Sequence, residues 1–156
     1  MRAVLFALIV MASGTHVSSP LLARGRGGRV TCIGGTVAAA SSRPGGSVHT
    51  TDPQYFLFQA KGLAIRVPYA KINLLEYGQQ VGRRYAMAIL ISPVLLLSKK
   101  RKHYLTVGYT DDEGHQQAIV FQVDKGDIRS VLVGLEVKTG LKVAYQDEEA
   151  RKAGKG

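Results

Sequence analysis

Four histidines and one cysteine are the side chains best suited to catalysis or metal binding, and their spacing supports neither. The histidines are far apart, and no two stand three or four residues apart, as paired ligands on one helix would. Cys32 has no second cysteine with which to share a metal or a disulfide. We therefore predict no cofactor, no metal site and no enzyme activity. The histidines are His16, His49, His103 and His115.

Three consecutive acids, Asp111-Asp112-Glu113, are the densest group of carboxylates in the body of the chain. They lack the spaced oxygen donors of a calcium loop. They lie between two segments in which apolar and polar residues alternate, a pattern typical of a β-hairpin. We interpret them as a solvated hairpin tip. No phosphate-binding loop or nucleophile motif of the G-x-S-x-G type occurs in the chain.

An uncharged run of thirteen residues, Tyr85 to Leu97, is the most unusual stretch of the sequence. A membrane-spanning helix needs roughly 20 apolar residues, so this run is too short, and Pro93 interrupts it. Basic residues flank it on both sides. Two interpretations stay open: the run packs on the sheet as extra core, or it contacts a membrane surface or a partner. The candidate contact residues are Arg83, Arg84, Leu95, Leu96, Lys99, Lys100, Arg101 and Lys102.

The net charge of +10 is unevenly distributed along the chain. Residues 1–102 carry fourteen Lys and Arg against two acids, whereas residues 103–156 carry seven against nine. A basic half indicates an anionic partner such as lipid headgroups, or a basic soluble surface. We do not expect nucleic acid as the partner, because Tyr55, Phe56 and Phe58 have the pattern of strand core and not of a base-stacking platform.

The N-terminus has the pattern of an export signal. Arg2 precedes ten apolar residues, Ala3 to Ala12, and small residues follow them. We assign residues 1–19 to a signal peptide, leaving the cleavage position open, and residues 20–28 to a linker. The protein is expected in the periplasm or the cell envelope, with membrane association possible through the apolar run.

The body of the chain is predicted to be mainly β with one C-terminal helix. Tyr55 to Ala60, Leu63 to Val67 and Ile72 to Leu75 are predicted strands, and residues 104–123 form the hairpin. A helix is predicted over 124–139, with Asp124 as its N-cap. Its apolar face consists of Ile128, Val131, Leu132 and Leu135. Residues 147–156 are predicted to be a charged, frayed tail.

This order of elements, several strands and then one helix, resembles the pleckstrin-homology-like (PH-like) plan. Gly62 to Gly78, GLAIRVPYAKINLLEYG, is similar to a stretch of bacterial PH-like and GRAM-like domains. The chain also resembles small exported bacterial proteins with the motifs Gly34-Gly35-Thr36, Tyr77-Gly78-Gln79 and Ser98-Lys99-Lys100. The resemblance implies a PH-like, partly open antiparallel barrel over 29–146, with an apolar insertion over 79–102. It implies no lipid site, because no lipid-binding motif is matched.

The sequence thus predicts a non-catalytic, exported interaction module that docks on a membrane surface or on a partner protein. The alternative is a subunit or accessory domain of an envelope enzyme, with no site visible in this chain. The identity of the partner and the oligomeric state stay open.

Overall fold

The computed structural model describes residues 27–36, 43–79, 102–146 and 148–155. In these ranges the chain forms eight strands, one 3-10 turn and two helices. The strands are β1 (Gly28–Gly35), β2 (Gly45–His49), β3 (Tyr55–Ala60), β4 (Leu63–Pro68), β5 (Ile72–Gly78), β6 (His103–Thr110), β7 (Gln116–Val123) and β8 (Ala144–Tyr145). The 3-10 turn is Tyr69–Lys71, and the helices are α1 (Ile128–Thr139) and α2 (Glu148–Lys155).

All eight strands form a single sheet in the order β4-β3-β2-β1-β7-β6-β5-β8. The pairs from β4 through to β5 are antiparallel, and the short β8 pairs with β5 in parallel. The sheet ends at β4 and β8 and does not close. The prediction of a mainly β, partly open barrel with a C-terminal helix is therefore confirmed.

Two tight hairpins give the sheet its local connections. Lys61-Gly62 turns β3 into β4, and Gly62 has a φ of 74°. The turn between β6 and β7 contains Gly114, with a φ of 85°. Glycine adopts these positive φ angles without the clash that a Cβ would cause, so both turns form where the sequence places them.

The core lies on one face of the sheet, which we call the inner face. Phe56 and Phe58 of β3 both contact Phe121 of β7, with ring centroids 5.9 Å and 5.1 Å apart. Their edge-to-face and tilted geometries are those that aromatic pairs prefer. The predicted apolar face of α1 covers this core, because Ile128, Val131, Leu132 and Leu135 are all buried in it.

The start of α1 differs from the prediction. Asp127, not Asp124, occupies the N-cap position, and the helix begins at Ile128. The Asp127 carboxylate accepts a hydrogen bond of 2.9 Å from the backbone N–H of Arg29 in β1, and it makes no side-chain capping bond to its own helix. At the other end Gly140 adopts a φ of 72° and its N–H bonds to Glu136, as predicted for a glycine stop.

Two elements of the structure were not predicted from the sequence. Gly45–His49 forms β2, which lies between β1 and β3; a strand that begins with two glycines carries no alternating pattern to reveal it. Glu148–Lys155, predicted as a frayed tail, forms α2. Its small residues Ala150 and Gly154 are buried, and a Cβ on Gly154 would meet the ring of Tyr145 at 2.6 Å. The helix therefore packs through small residues that lie close against the core, and it has no large apolar face.

The apolar insertion predicted over 79–102 falls outside the described residues, except for Gln79 and Lys102 at its ends. No helix in the described ranges is long and apolar enough to cross a membrane.

Candidate binding groove

Seven of the eight predicted contact residues lie outside the described residues. The exception is Lys102, which is half-buried and immediately precedes β6. The seven are Arg83, Arg84, Leu95, Leu96, Lys99, Lys100 and Arg101. Their role therefore stays a prediction. The described part of the chain offers a different candidate site.

That site is an open groove of about 490 Å³ between the β3–β4 hairpin and the tip of the β6–β7 hairpin. Its volume is in the range of pockets that hold small ligands or side chains of a partner. Residues from one end of the sheet line it, namely Tyr55, Arg66, Pro68, Lys71, Tyr109, Thr110, Asp111, Asp112 and Glu113. We call it the hairpin groove.

Arg66 and Tyr55 form the first wall of the hairpin groove. The register pairs Leu57 with Arg66, so Tyr55 and Arg66 are diagonal neighbours on the same face of β3 and β4. The guanidinium of Arg66 lies over the Tyr55 ring, 4.4 Å from its centroid. Among the described residues no carboxylate lies within ion-pair distance of Arg66. Its position is thus fixed by an aromatic ring while its charge faces the groove.

The second wall is the acidic turn. Asp111 accepts hydrogen bonds from the side chain of Gln117 at 2.6 Å and from the backbone N–H of His115 at 2.7 Å. The Gln117 bond is the main reason that the pKa of Asp111 lies below its ordinary value. Asp112 pairs with Lys71, which joins the turn to the 3-10 turn across the groove.

A ladder of amides holds the base of the acidic turn against β5. Asn73 donates to Gln116 Oε1 at 2.7 Å, and Gln116 donates back to Asn73 Oδ1 at 3.0 Å. Asn73 also donates to the hydroxyl of Thr110. These bonds fix the acidic turn on β5, β6 and β7, and the Lys71–Asp112 pair joins it to the 3-10 turn that follows β4. The second wall is therefore positioned before any ligand binds.

The acidic turn is the exposed tip of the β6–β7 hairpin, as predicted. No group of three or more His, Cys, Asp or Glu in the described ranges is arranged to hold a metal ion. His103 and His115 lie at opposite ends of the β6–β7 hairpin and do not face each other. His103 pairs with Val123 in the sheet, and His115 lies in the turn with Nδ1 3.7 Å from Asp111.

Cys32 occupies the strand position predicted for it. It is fully buried on the inner face of β1, and it is a free cysteine. Burial raises the pKa of its thiol, so the reactive thiolate is disfavoured. We assign Cys32 to the core.

Sequence reasoning missed the hairpin groove because its walls come from segments more than forty residues apart. One signal was available. Arg66 is the single charge in the alternating strand Leu63–Pro68, and a lone arginine opposite an aromatic strand indicates a stacking pair. The acids that face the Arg66–Tyr55 pair are set by the pairing registers of β5 with β6 and of β6 with β7.

The charge of the described residues is close to balance. They contain thirteen Lys and Arg and ten Asp and Glu, a net charge of +3, against +10 for the whole chain. Most of the excess positive charge therefore belongs to residues outside the described ranges. The groove itself contains both signs and has no strong preference for a polyanion.

Comparison with known proteins found no match. No family model matches the sequence, and no curated protein matches it. The resemblance to PH-like domains stays a prediction from the motifs quoted above, and the case for a function depends on the site.

Proposed function

We propose that this protein is a non-catalytic interaction module that docks on a partner protein through the hairpin groove. The observation that carries the proposal is the Arg66–Tyr55 pair, a stacked cation without a described carboxylate partner on the wall of a 490 Å³ groove. Tyrosine and arginine are the residue types that most often dominate the energy of protein–protein binding.

The charges of the groove favour a protein surface over a simple ion. On one wall, Arg66 has no described carboxylate within ion-pair distance and can pair with an acid of the partner. On the other wall the exposed Glu113 has no described Lys or Arg within ion-pair distance. A partner segment that carries one acid and one base would satisfy both. Because hydrogen bonds and the Lys71–Asp112 pair already hold the second wall, little conformational entropy is lost there when it binds.

The partner is expected in the cell envelope, because the N-terminus has the pattern of an export signal. An envelope enzyme is one such partner, in which case this chain would be its accessory subunit. Mass spectrometry of protein from the native host should give a mature N-terminus between Thr15 and Arg24. A full-length cytosolic product that starts at Met1 would contradict the proposed address.

A pair of charge reversals tests the groove. Tagged full-length protein is expressed in the native host, cross-linked in intact cells and purified, with the captured proteins quantified by mass spectrometry. Arg66→Glu should reduce capture of the partner at least tenfold. Lys61→Glu makes the same change in charge in the exposed turn between β3 and β4 and should leave capture unchanged. Lys61→Glu should keep the wild-type melting temperature, since the position is exposed. Arg66→Glu should lower it only slightly, because an exposed stacking contact with Tyr55 is worth about 0.5–1 kcal/mol.

Equal capture by the Arg66→Glu and Lys61→Glu variants would remove the groove from the proposal. Pelleting with vesicles of anionic phospholipid separates the membrane alternative. We expect no pelleting of the mature protein at low salt. Pelleting that is lost at high salt would replace the protein partner with a membrane surface.

A further inference from the structure

The strand β4 forms one edge of the sheet, and its second side has no neighbouring strand in the described parts of the chain. It pairs with β3 from Leu63 to Pro68, and β3 is its single partner in the strand order there. At the opposite edge, β5 is followed by the short β8. A free edge presents a row of unpaired N–H and C=O groups, to which another strand can add.

The register of the β3–β4 hairpin shows which backbone groups of β4 point to the free edge. Leu63 pairs with Ala60 directly across the two-residue turn, and such a pair exchanges both of its hydrogen bonds. Hydrogen-bonded and non-bonded pairs then alternate along an antiparallel ladder. Ile65 therefore bonds to β3, whereas the N–H and C=O groups of Ala64 and Arg66 point away from it.

The far end of β4 has the same alternation. The N–H of Tyr69 donates to the carbonyl oxygen of Gln54 at 2.9 Å. Pro68, one position earlier, has no N–H and stands where an N–H would point to the free edge. Counting back in steps of two from Pro68 reaches Arg66 and then Ala64. In the described ranges, no hydrogen bond to the backbone of either residue is formed outside the ladder with β3.

The side chains of these two residues are exposed on the outer face of the sheet, the face opposite the core. Arg66 is directly across from Leu57, and Ala64 is directly across from Gln59. All four residues line a cavity of about 210 Å³, which we call the Leu57 cavity. It shares Arg66 with the hairpin groove. Pockets for small ligands measure about 300–1,000 Å³, so the Leu57 cavity suits a single side chain of a partner.

We propose that β4 accepts an extended segment of the partner protein as an additional strand, with an Asp or Glu opposite Arg66 and an apolar residue opposite Ala64. The added strand is the form in which the partner of the proposed function binds, so this assignment rests on that function. Residues opposite each other on neighbouring strands share one face of the sheet. The acid then meets the guanidinium of Arg66, and the apolar side chain enters the Leu57 cavity.

The spacing of the two contacts matches an extended chain. Ala64 and Arg66 are two positions apart, which is roughly 6.6 Å along a strand. Alternate side chains of a partner strand have the same spacing, so its acid and its apolar residue are separated by one residue. A helix bonds its N–H and C=O groups to its own turns, and it has none along its length to offer the edge. The backbone of β4 therefore favours an extended segment over a helix.

The composition of β4 favours a different protein over a second copy of this chain. Leu63–Pro68 contains one arginine and no acid. Two paired β4 strands would bring two guanidinium groups to one face without a carboxylate, and like charges on facing strands destabilise their pairing. Arginine and proline on an edge also limit unspecific strand addition. A partner that supplies an acid removes the repulsion, which makes the edge selective.

Amide hydrogen exchange, measured by NMR on the purified protein, tests whether the edge is free. The N–H groups of Ala64 and Arg66 should exchange at least tenfold faster than those of Ile65 and Val67, which bond to β3. Equally slow exchange at all four positions would show that the edge is already paired, and it would overturn the proposal. Slow exchange that appears only at protein concentrations where a dimer forms would overturn it in favour of a second copy.

A phage-displayed library of random linear dodecapeptides, selected on the purified protein, supplies the probe. Selected peptides should share an Asp or Glu and an apolar residue separated by one position. A synthetic peptide with this pattern should slow exchange at Ala64 and Arg66 at least tenfold. Selection on Arg66→Glu should enrich a base in place of the acid. No enriched peptide, an enriched pattern without an acid, or unchanged exchange rates would each overturn the proposal.

A matched pair of substitutions separates strand addition from binding in the groove alone. Ala64→Pro removes an N–H of the free edge and leaves the bonds to β3 in place, so it should weaken the peptide at least tenfold. Ala64→Ser keeps that N–H and should bind like the wild type. Equal affinity of the two variants would overturn the added strand. If Ala64→Pro does not fold, the exchange rates of the wild type with and without the peptide decide.

The same variants distinguish failure of the added strand from failure of the proposed function. In the cross-linking experiment above, Ala64→Pro should lose the partner as Arg66→Glu does. A partner that is lost by Arg66→Glu and kept by Ala64→Pro would overturn the added strand and leave the hairpin groove as the binding site. A partner that both variants keep would overturn the added strand together with the proposed function.

Discussion

The hydroxyl of Tyr77 and Nδ1 of His103 are joined by a hydrogen bond of 2.5 Å, and their rings are parallel with centroids 6.0 Å apart. Tyr77 is fully buried near the end of β5, and His103 is half-buried at the start of β6. The pair therefore joins the two strands at the ends that border residues 80–101 in the sequence.

His103 should make the stability of the fold depend on pH. Burial, and secondarily the charge of Lys125, lower the pKa of His103 below its ordinary value of 6.5. The folded state thus disfavours the protonated ring, and the unfolded state binds more protons as the pH falls through 6.5. The free energy of unfolding should be highest above that pH and decrease below it.

Urea unfolding at a series of pH values between about 7.5 and 5 measures this contribution. Other groups titrate in the same window, so the relevant quantity is the difference between wild type and His103→Gln. The wild type should lose stability relative to the variant as the pH falls. A difference that does not change with pH would show that His103 carries no such linkage.

Leu132 should be essential to the packing of α1. It is 1% exposed in the core, so Leu132→Asp buries an unpaired carboxylate and should cost about 3 kcal/mol or more. Val133→Asp is the matched control, since the neighbouring side chain is 52% exposed. Urea melts should show a large loss for the first variant and little change for the second. Equal stability of the two variants would contradict the packing of α1.

Two adjacent glycines test the pairing of β2 with β3. A Cβ on Gly46 would lie 2.1 Å from the carbonyl oxygen of Gln59 in β3, whereas a Cβ on Gly45 meets nothing within 4 Å. Gly46→Ala should therefore cost about 1–3 kcal/mol through overpacking, and Gly45→Ala should be close to neutral. Thermal or urea melts measure both. Similar stabilities for the two variants would show that β2 does not approach β3 this closely.

The double variant Leu95→Ser, Leu96→Ser distinguishes the two interpretations of the apolar run. If the run packs on the sheet as extra core, the melting temperature should fall by roughly 5 °C or more, because two leucines lose their apolar contacts. Neither the wild type nor the variant should then pellet with anionic vesicles. Vesicle binding by the wild type that the variant loses, with an unchanged melt, would assign the run to a membrane.

The predictions from sequence succeeded where a pattern is local. The period of two in Leu63–Pro68 and the i, i+3, i+4, i+7 spacing of α1 were sufficient, because each places apolar side chains on one face without reference to the rest of the chain. Gly62 and Gly140 marked a turn and a helix end for the same reason. The strand β2 was missed because it begins with two glycines, of which Gly46 is required by the approach of β3.

The sequence alone thus determined the fold class, the inward face of α1 and the position of the acidic turn at an exposed hairpin tip. Tertiary structure decided which strands are neighbours and hence which charges meet. Arg66 and Glu113 are far apart in sequence and line one groove because the order of strands in the sheet brings two hairpins together. Pairing between distant strands depends on hydrogen bonds and packing across the whole sheet, and no local pattern of residues encodes it.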